Sequence, residues 1–124
     1  MTDKEKLYET LGELLYAVAK ADGVLRTEEK EELDKLLANH PWSSQIKWSF
    51  DYEANKETSV DELYDKVINF CHGYGPEPEY VEFIDAMKII ANAPGWVHEK
   101  QSEMIHSFSE DLIERFQRDM DKLL

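Results

Sequence analysis

Apolar residues recur along most of this chain at intervals of three and four, the spacing that places side chains on one face of an α-helix. In the first such stretch, Thr2 and Glu5 have the spacing of a capping box. The apolar stripe that follows consists of Leu7, Leu11, Leu14, Leu15 and Val18. Because no long stretch alternates apolar and polar residues as a strand would, we predict an all-α fold. Its first helix runs from about Asp3 to Lys20.

Start and stop signals place a second helix after the first. Thr27 offers a hydroxyl to the N–H groups at its start, and the segment Asn39-His40-Pro41 ends it, since the residue before a proline avoids helical backbone angles. Its inward face carries Leu33, Leu36 and Leu37. The next segment fits either a short helix or an aromatic-rich extended chain, and we predict a helix from about Ser43 to Phe50.

The second half of the chain shows the same helical spacing. Ser59 and Glu62 repeat the capping-box spacing and begin a helix that stops at the segment Gly73-Tyr74-Gly75-Pro76. A further apolar face ends at Ala93-Pro94-Gly95, and it consists of Tyr80, Phe83, Ile84, Met87, Ile90 and Ala91. The last predicted helix carries Met104, Ile105 and Phe108, with a cap or kink near Ser109 before the pattern continues to the C-terminus.

The joint between the first two helices concentrates carboxylates. Asp22, Glu28 and Glu29 lie close to Gly23, which can adopt the positive φ that ends a helix. Carboxylate oxygens are the ligands that hard cations such as Ca²⁺ prefer, and the Asp-Gly step with a closing Glu29 matches the second half of an EF-hand loop. The first half is missing, so the loop alone would bind calcium with a Kd on the order of millimolar. Carboxylates that could complete the site are Asp51, Glu53, Glu99 and Glu103.

The chain also contains an internal repeat with a shift of 72 residues, which sets Gly23 against Gly95. The apolar stripes superpose under this shift, and the two units span about residues 5–38 and 77–110. The carboxylates do not repeat, because Asp22 corresponds to Pro94 and Glu29 corresponds to Gln101. We therefore predict a single-domain helical bundle of two pseudo-repeated units, only one of which carries the acidic joint.

The segment Lys20-Ala21-Asp22-Gly23 followed by Glu28 and Glu29 resembles the TerB-like tellurite-resistance family, which includes the N-terminal region of membrane-anchored DnaJ-like co-chaperones. The likeness covers residues 5–37 and 80–116. It implies two related helical units, an acidic site that can hold a divalent metal, and a role in stress response or in resistance to tellurite and phage through protein complexes. The metal ligands that it implies are Asp22 and Glu29, with Glu28 as a weaker neighbour, and Ca, Mg, Mn and Zn ions remain alternatives.

Charge and composition narrow the choice of partners. The chain has 124 residues and a net charge of −13, which repels phosphate backbones and favours protein partners over nucleic acid. The apolar runs are far shorter than the ~20 residues of a membrane span, and the N-terminus lacks a secretory apolar region. We therefore expect a soluble, cytoplasmic protein without membrane insertion. Cys71 is the only cysteine, and its apolar neighbours favour a packed thiol.

Two readings of the acidic joint remain open. In one, the loop binds metal. In the other, Asp22 caps a turn while Glu28 and Glu29 interact with the dipole of the second helix, each contributing about 0.3 to 1 kcal/mol without any ion. The second reading describes a metal-independent helical interaction module, or adaptor. The sequence has no nucleophile elbow, phosphate loop or HExxH motif, so we expect a protein that is not an enzyme.

Overall fold

The computed structural model describes residues 3–75 and 77–123, and this part of the chain is a single all-α bundle without strands. A π-helical turn at Glu110–Glu114 follows the sixth helix without a break and leads into the seventh. The helices are α1 (Asp3–Lys20), α2 (Thr27–Leu37), α3 (Ser43–Lys56), α4 (Val60–Tyr74), α5 (Glu79–Ala91), α6 (Glu99–Ser109) and α7 (Arg115–Leu123). The predicted all-α, single-domain bundle and the bounds of the first helix are therefore confirmed.

The α1 helix lies at the centre of the bundle, where it contacts α3, α4, α5 and α6. Its predicted apolar stripe is buried in full, as is the apolar face predicted for α5. Gly12 sets the distance between α1 and α3. A Cβ atom at this position would lie only 2.3 Å from the carbonyl oxygen of Ile46 and 2.8 Å from Cβ of Ser49. The absent side chain thus allows the two backbones to approach closely.

The α3 helix is longer than predicted, because it continues past Phe50 to Lys56 and ends where Glu57 adopts a left-handed conformation with φ of 55°. The alternative of an extended segment is wrong. Phe50 is buried, whereas Trp48 and Tyr52 are exposed and stack on each other with ring centroids 5.4 Å apart. The apparent alternation of aromatic residues reflects the two faces of one helix.

The predicted caps differ in detail from the observed ones. Thr27 is the first residue of α2 and not its cap, because Arg26 precedes it with extended angles of φ −92° and ψ 151°. Ser59 does occupy the cap position of α4, but its side chain makes no capping hydrogen bond. The α4 helix ends before Gly75, whose φ is 102°, as the stop signal predicted. Thr2 and Pro76, which belong to two of the predicted signals, lie outside the described residues.

The two helix joints have the same backbone geometry. Gly23 and Gly95 both adopt a φ of 91°. The N–H of Gly23 donates to the carbonyl of Lys20 at 2.7 Å, and the N–H of Gly95 donates to the carbonyl of Asn92 at 2.9 Å. Positive φ explains why both positions hold glycine. The α1–α2 and α5–α6 pairs are therefore joined by matching turns.

The thiol of Cys71 is buried in the core, as its neighbours predicted. Burial raises the pKa of this thiol to about 12, because an apolar environment disfavours the thiolate. The group is thus a packed side chain rather than a nucleophile. None of the helices in the described part of the chain is both long enough and apolar enough to cross a bilayer.

Candidate functional site at the paired helix joints

The two helix joints lie side by side and contact each other through two pairs of side chains. Gln101 Nε2 donates a hydrogen bond to Glu29 Oε2 at 2.7 Å. Next to this bond, the guanidinium carbon of Arg26 lies 4.7 Å from the ring centroid of Trp96, a distance typical of a cation–π interaction. Each pair joins one residue of the first joint to one residue of the second. The acidic joint is therefore packed against its counterpart.

Glu29 and Gln101 are fully buried and perform the same local task. Glu29 Oε1 accepts a hydrogen bond from the backbone N–H of Arg26 at 3.0 Å, and Gln101 Oε1 accepts one from the N–H of His98 at 3.1 Å. Each side chain thus satisfies an N–H group at the start of its own helix. Burial raises the pKa of Glu29, although the bonds from Arg26 and Gln101 favour its charged form.

Asp22 lies against Arg26 in the same joint. Its Oδ2 atom is 2.7 Å from Arg26 Nη1, and its Oδ1 atom accepts a hydrogen bond from the N–H of Val24 at 3.2 Å. The contact with Arg26 is a close ion pair rather than an aligned hydrogen bond. Burial disfavours the charge on Asp22, but Arg26 and the N–H of Val24 outweigh it, so the pKa of Asp22 lies below its ordinary value.

The guanidinium of Arg26 is positioned where the two main predicted metal ligands converge. Its Nη1 atom lies 2.7 Å from Asp22 Oδ2 and 3.8 Å from Glu29 Oε1. The structure therefore brings Asp22 and Glu29 together around a cation, and that cation belongs to the chain itself. Glu28, the third predicted ligand, is exposed on the outside of α2. Across the described residues, no group of three or more His, Cys, Asp or Glu side chains is arranged to hold a metal ion.

The carboxylates named as candidates to complete a calcium loop make other contacts or face solvent. Asp51 lies 3.5 Å from Lys47, and Glu53 accepts a hydrogen bond from Thr58. Glu99 and Glu103 are exposed on α6. Residue types alone did not indicate a role for Arg26, Trp96 or Gln101. The repeat did contain a signal for Gln101, because the shift of 72 residues places it opposite Glu29.

A second candidate surface lies on α5, where two large apolar side chains at the edges of grooves face solvent. Val81 is 59% exposed and Ile89 is 40% exposed. The groove on one side, which we call the α5–α6 groove, has a volume of about 660 Å³ and is lined by residues that include Ile84, Lys88, Val97, Ile105 and His106. The groove on the other side, the α2–α5 groove, has a volume of about 380 Å³ and a floor that includes Leu11, Leu36, Leu37 and Ala86. Ile89 lines both grooves.

Hydrogen bonds fix one rim of the α2–α5 groove. His40 Nδ1 accepts a hydrogen bond from the N–H of Trp42 at 3.0 Å, which leaves the ring proton on Nε2. This Nε2 atom lies 2.8 Å from Glu82 Oε1, and it donates to that oxygen. The hydroxyl of Tyr8 donates to the other oxygen of Glu82 at 3.4 Å. The carboxylate of Glu82 is therefore held at the edge of an apolar groove.

No family model, no curated protein and no solved structure matches this chain. The resemblance of the Asp22-Gly23 joint to the TerB-like family thus remains a prediction from the sequence. The function has to be inferred from the contacts at the paired joints and from the apolar surface of α5.

Proposed function

We propose that this chain is a non-enzymatic, TerB-like binding domain of the stress-response or tellurite-resistance type, which acts by docking a protein partner. The observation that carries the proposal is the apolar surface of α5, where Val81 and Ile89 are exposed, Val81 beside the α2–α5 groove and Ile89 beside both grooves. Contiguous apolar surface rimmed by polar groups marks interaction sites on soluble proteins. A folded domain gains nothing in stability by leaving such side chains in water.

The matching turns support the part of the proposal that concerns two related helical units. Gly23 and Gly95 share one backbone conformation, and Glu29 and Gln101 close equivalent helix starts. The contacts of the acidic joint favour the metal-independent adaptor over metal binding. The guanidinium of Arg26 already lies against the carboxylates of Asp22 and Glu29. Glu29 also accepts a hydrogen bond from Gln101 in the other joint.

Crosslinking in living cells tests the docking function. A photo-crosslinking amino acid would replace Val81 in the cells that naturally carry this chain, and the adducts would be identified by mass spectrometry. We expect one discrete adduct that disappears when Ile89→Asp is added. The same amino acid at the exposed position Asp65 on α4 should give no such adduct. Equal crosslinking from both positions would contradict the proposal.

A divalent metal at the acidic joint is a second candidate, favoured by one observation. Asp22 and Glu29 converge on Arg26 Nη1, so an ion could take the place of the guanidinium if Arg26 turned toward solvent. Calorimetric titration with Ca, Mg, Mn and Zn ions tests this in the wild type, Asp22→Ala and Arg26→Ala. Metal binding predicts tighter affinity in Arg26→Ala and none in Asp22→Ala. If none of the three proteins binds an ion, the adaptor function stands alone.

A further inference from the structure

We propose that the α2–α5 groove binds the apolar face of a basic amphipathic helix from a partner protein, whose Lys or Arg side chains meet Glu82 and Asp85. This inference rests on the proposed docking function and names the class of partner and the groove that it occupies. It makes no use of the acidic joint.

The shape of the groove suits apolar side chains. Its volume is about 380 Å³. The floor is made of leucine and alanine side chains from three helices, and Val81 and Ile89 form the wall on α5. Val81, Asp85 and Ile89 follow one another at four-residue intervals, so they lie along one face of the helix. This face of α5 thus carries two apolar side chains and one carboxylate in a row along the groove.

The charge of the groove is of one sign. Glu82 and Asp85 line it, and no Lys or Arg is found among its described lining residues. The ring of His40 faces Glu82, since its Nε2 atom lies 2.8 Å from Glu82 Oε1. The α5–α6 groove differs, since Lys88 lines it. A cationic partner is therefore favoured in the α2–α5 groove, where its charges would meet two carboxylates at the edge of an apolar floor.

The net charge also argues against a second copy of this chain as the occupant. Each copy carries a net charge of −13, so two copies repel each other as they approach. A basic partner is attracted over the same distance. The groove lies between two helices, and a third helix fits such a site by placing side chains at positions i, i+3 or i+4 and i+7 into it.

Fluorescence anisotropy with a labelled synthetic peptide tests the inference. The probe is a peptide of about 18 residues, or five helical turns, with leucines along one face and lysines on the other. One control peptide carries Glu in place of Lys, and a second has the same composition in an order that scatters the leucines. We expect the wild type to bind the lysine peptide about tenfold more tightly than either control, which corresponds to about 1.4 kcal/mol.

Matched protein variants distinguish binding in the groove from a general attraction of the lysine peptide to an acidic protein. We expect Asp85→Lys and Ile89→Asp each to weaken binding of the lysine peptide about tenfold, and Asp85→Lys to improve binding of the glutamate peptide. Asp65→Lys makes the same charge change on α4, and it should alter the affinity by less than about twofold. Circular dichroism and thermal melting of each variant confirm that it is folded.

Three results would overturn the inference. If Asp85→Lys and Asp65→Lys weaken binding of the lysine peptide equally, that binding is a general attraction to an acidic surface. If Ile89→Asp abolishes crosslinking in cells while Asp85→Lys leaves peptide binding unchanged, the docking function stands and the basic-helix partner is wrong. If the wild type sediments as a dimer that Ile89→Asp dissociates, a second copy covers the groove.

Discussion

Glu29 Oε2 accepts a hydrogen bond of 2.7 Å from Gln101 Nε2, and these two residues occupy equivalent positions in the two helix starts. Each one also accepts a hydrogen bond from a backbone N–H group, at Arg26 and at His98. The pair works because one member is a carboxylate and the other an amide. Two carboxylates at this distance would have to share a proton or a cation.

Gln101→Glu should therefore destabilise the protein at neutral pH, by about 2 kcal/mol, and recover as the pH falls. The repulsion raises the folded-state pKa of the pair above its unfolded value. Stability is then present below the unfolded pKa and is lost as the pH rises through the folded pKa. Urea unfolding of the variant and the wild type at about pH 5 and pH 8 measures this difference.

Gln101→Ala serves as the control for that experiment. It removes both hydrogen bonds of Gln101 and adds no charge. Because the bond from Gln101 favours the charged form of Glu29, the loss of stability should also grow with pH, but less steeply than in Gln101→Glu. If both variants show the same pH dependence, the repulsion between the two carboxylates is not the cause of the loss.

Asp22 should show the opposite dependence on pH. Its folded-state pKa lies below its ordinary value of 3.8, because Arg26 and the N–H of Val24 outweigh the effect of burial. The stabilisation is present above the unfolded pKa and is lost as the pH falls through the folded one. We expect Asp22→Asn to cost about 1 kcal/mol at neutral pH and less as the pH falls below the unfolded pKa. Unfolding in urea across this range would disprove the ion pair if the cost were constant.

Gly12→Ala tests the close approach of α1 to α3. Alanine favours a helix over glycine by about 1 kcal/mol, but here its Cβ atom would lie 2.3 Å from the carbonyl oxygen of Ile46. Because that atom belongs to the backbone, we expect a net loss of about 1–3 kcal/mol in the free energy of unfolding. Gly73→Ala is the matched control within α4, where a new Cβ meets nothing within 4 Å. Thermal melting should show a lower Tm for the first variant and a slightly higher one for the second.

The sequence predicted the helices well where burial follows helical spacing. It predicted the structure poorly where contacts between two segments determine it. The stripe from Leu7 to Val18 predicted α1 because each of its apolar residues is buried, as its residue type indicates. Gly12 lies within that stretch, but its importance depends on Ile46, which belongs to another helix. The end of α3 was missed for a similar reason, since Glu53 is buried by its tertiary contacts and looks like a surface residue in the sequence.

In the candidate site, too, local patterns were predictable from the sequence and contacts between segments were not. The carboxylates of Asp22 and Glu29 were found because acidic residues at a helix joint form a local pattern, and the structure does bring them together. Arg26 lies between them in the sequence, yet a residue type alone does not show which way a guanidinium points. Arg26 also lies 4.7 Å from the ring of Trp96 in the other joint, a contact that the sequence spacing did not reveal.

Tyr80→Phe should test how the end of α4 is held. The Tyr80 hydroxyl donates to the carbonyl of Gly75 at 2.8 Å and lies 3.2 Å from that of Cys71, which also accepts from the N–H of Gly75 at 3.0 Å. Removing the hydroxyl leaves the Gly75 carbonyl without this donor, and we expect a loss of about 1–3 kcal/mol in the free energy of unfolding. Burial raises the pKa of Tyr80, so the hydroxyl stays protonated and the loss should not vary between about pH 5 and pH 8.

Tyr52→Phe is the matched control, because Tyr52 is an exposed side chain stacked on Trp48, and its change should stay within about 0.5 kcal/mol. Urea unfolding measures both variants, and hydrogen exchange of the α4 amides shows where the loss arises. We expect faster exchange in the last turn of α4 for Tyr80→Phe alone. If the two variants lose the same stability, the hydroxyl of Tyr80 does not hold the end of the helix, and the stacking of its ring on Phe116 remains as its contribution.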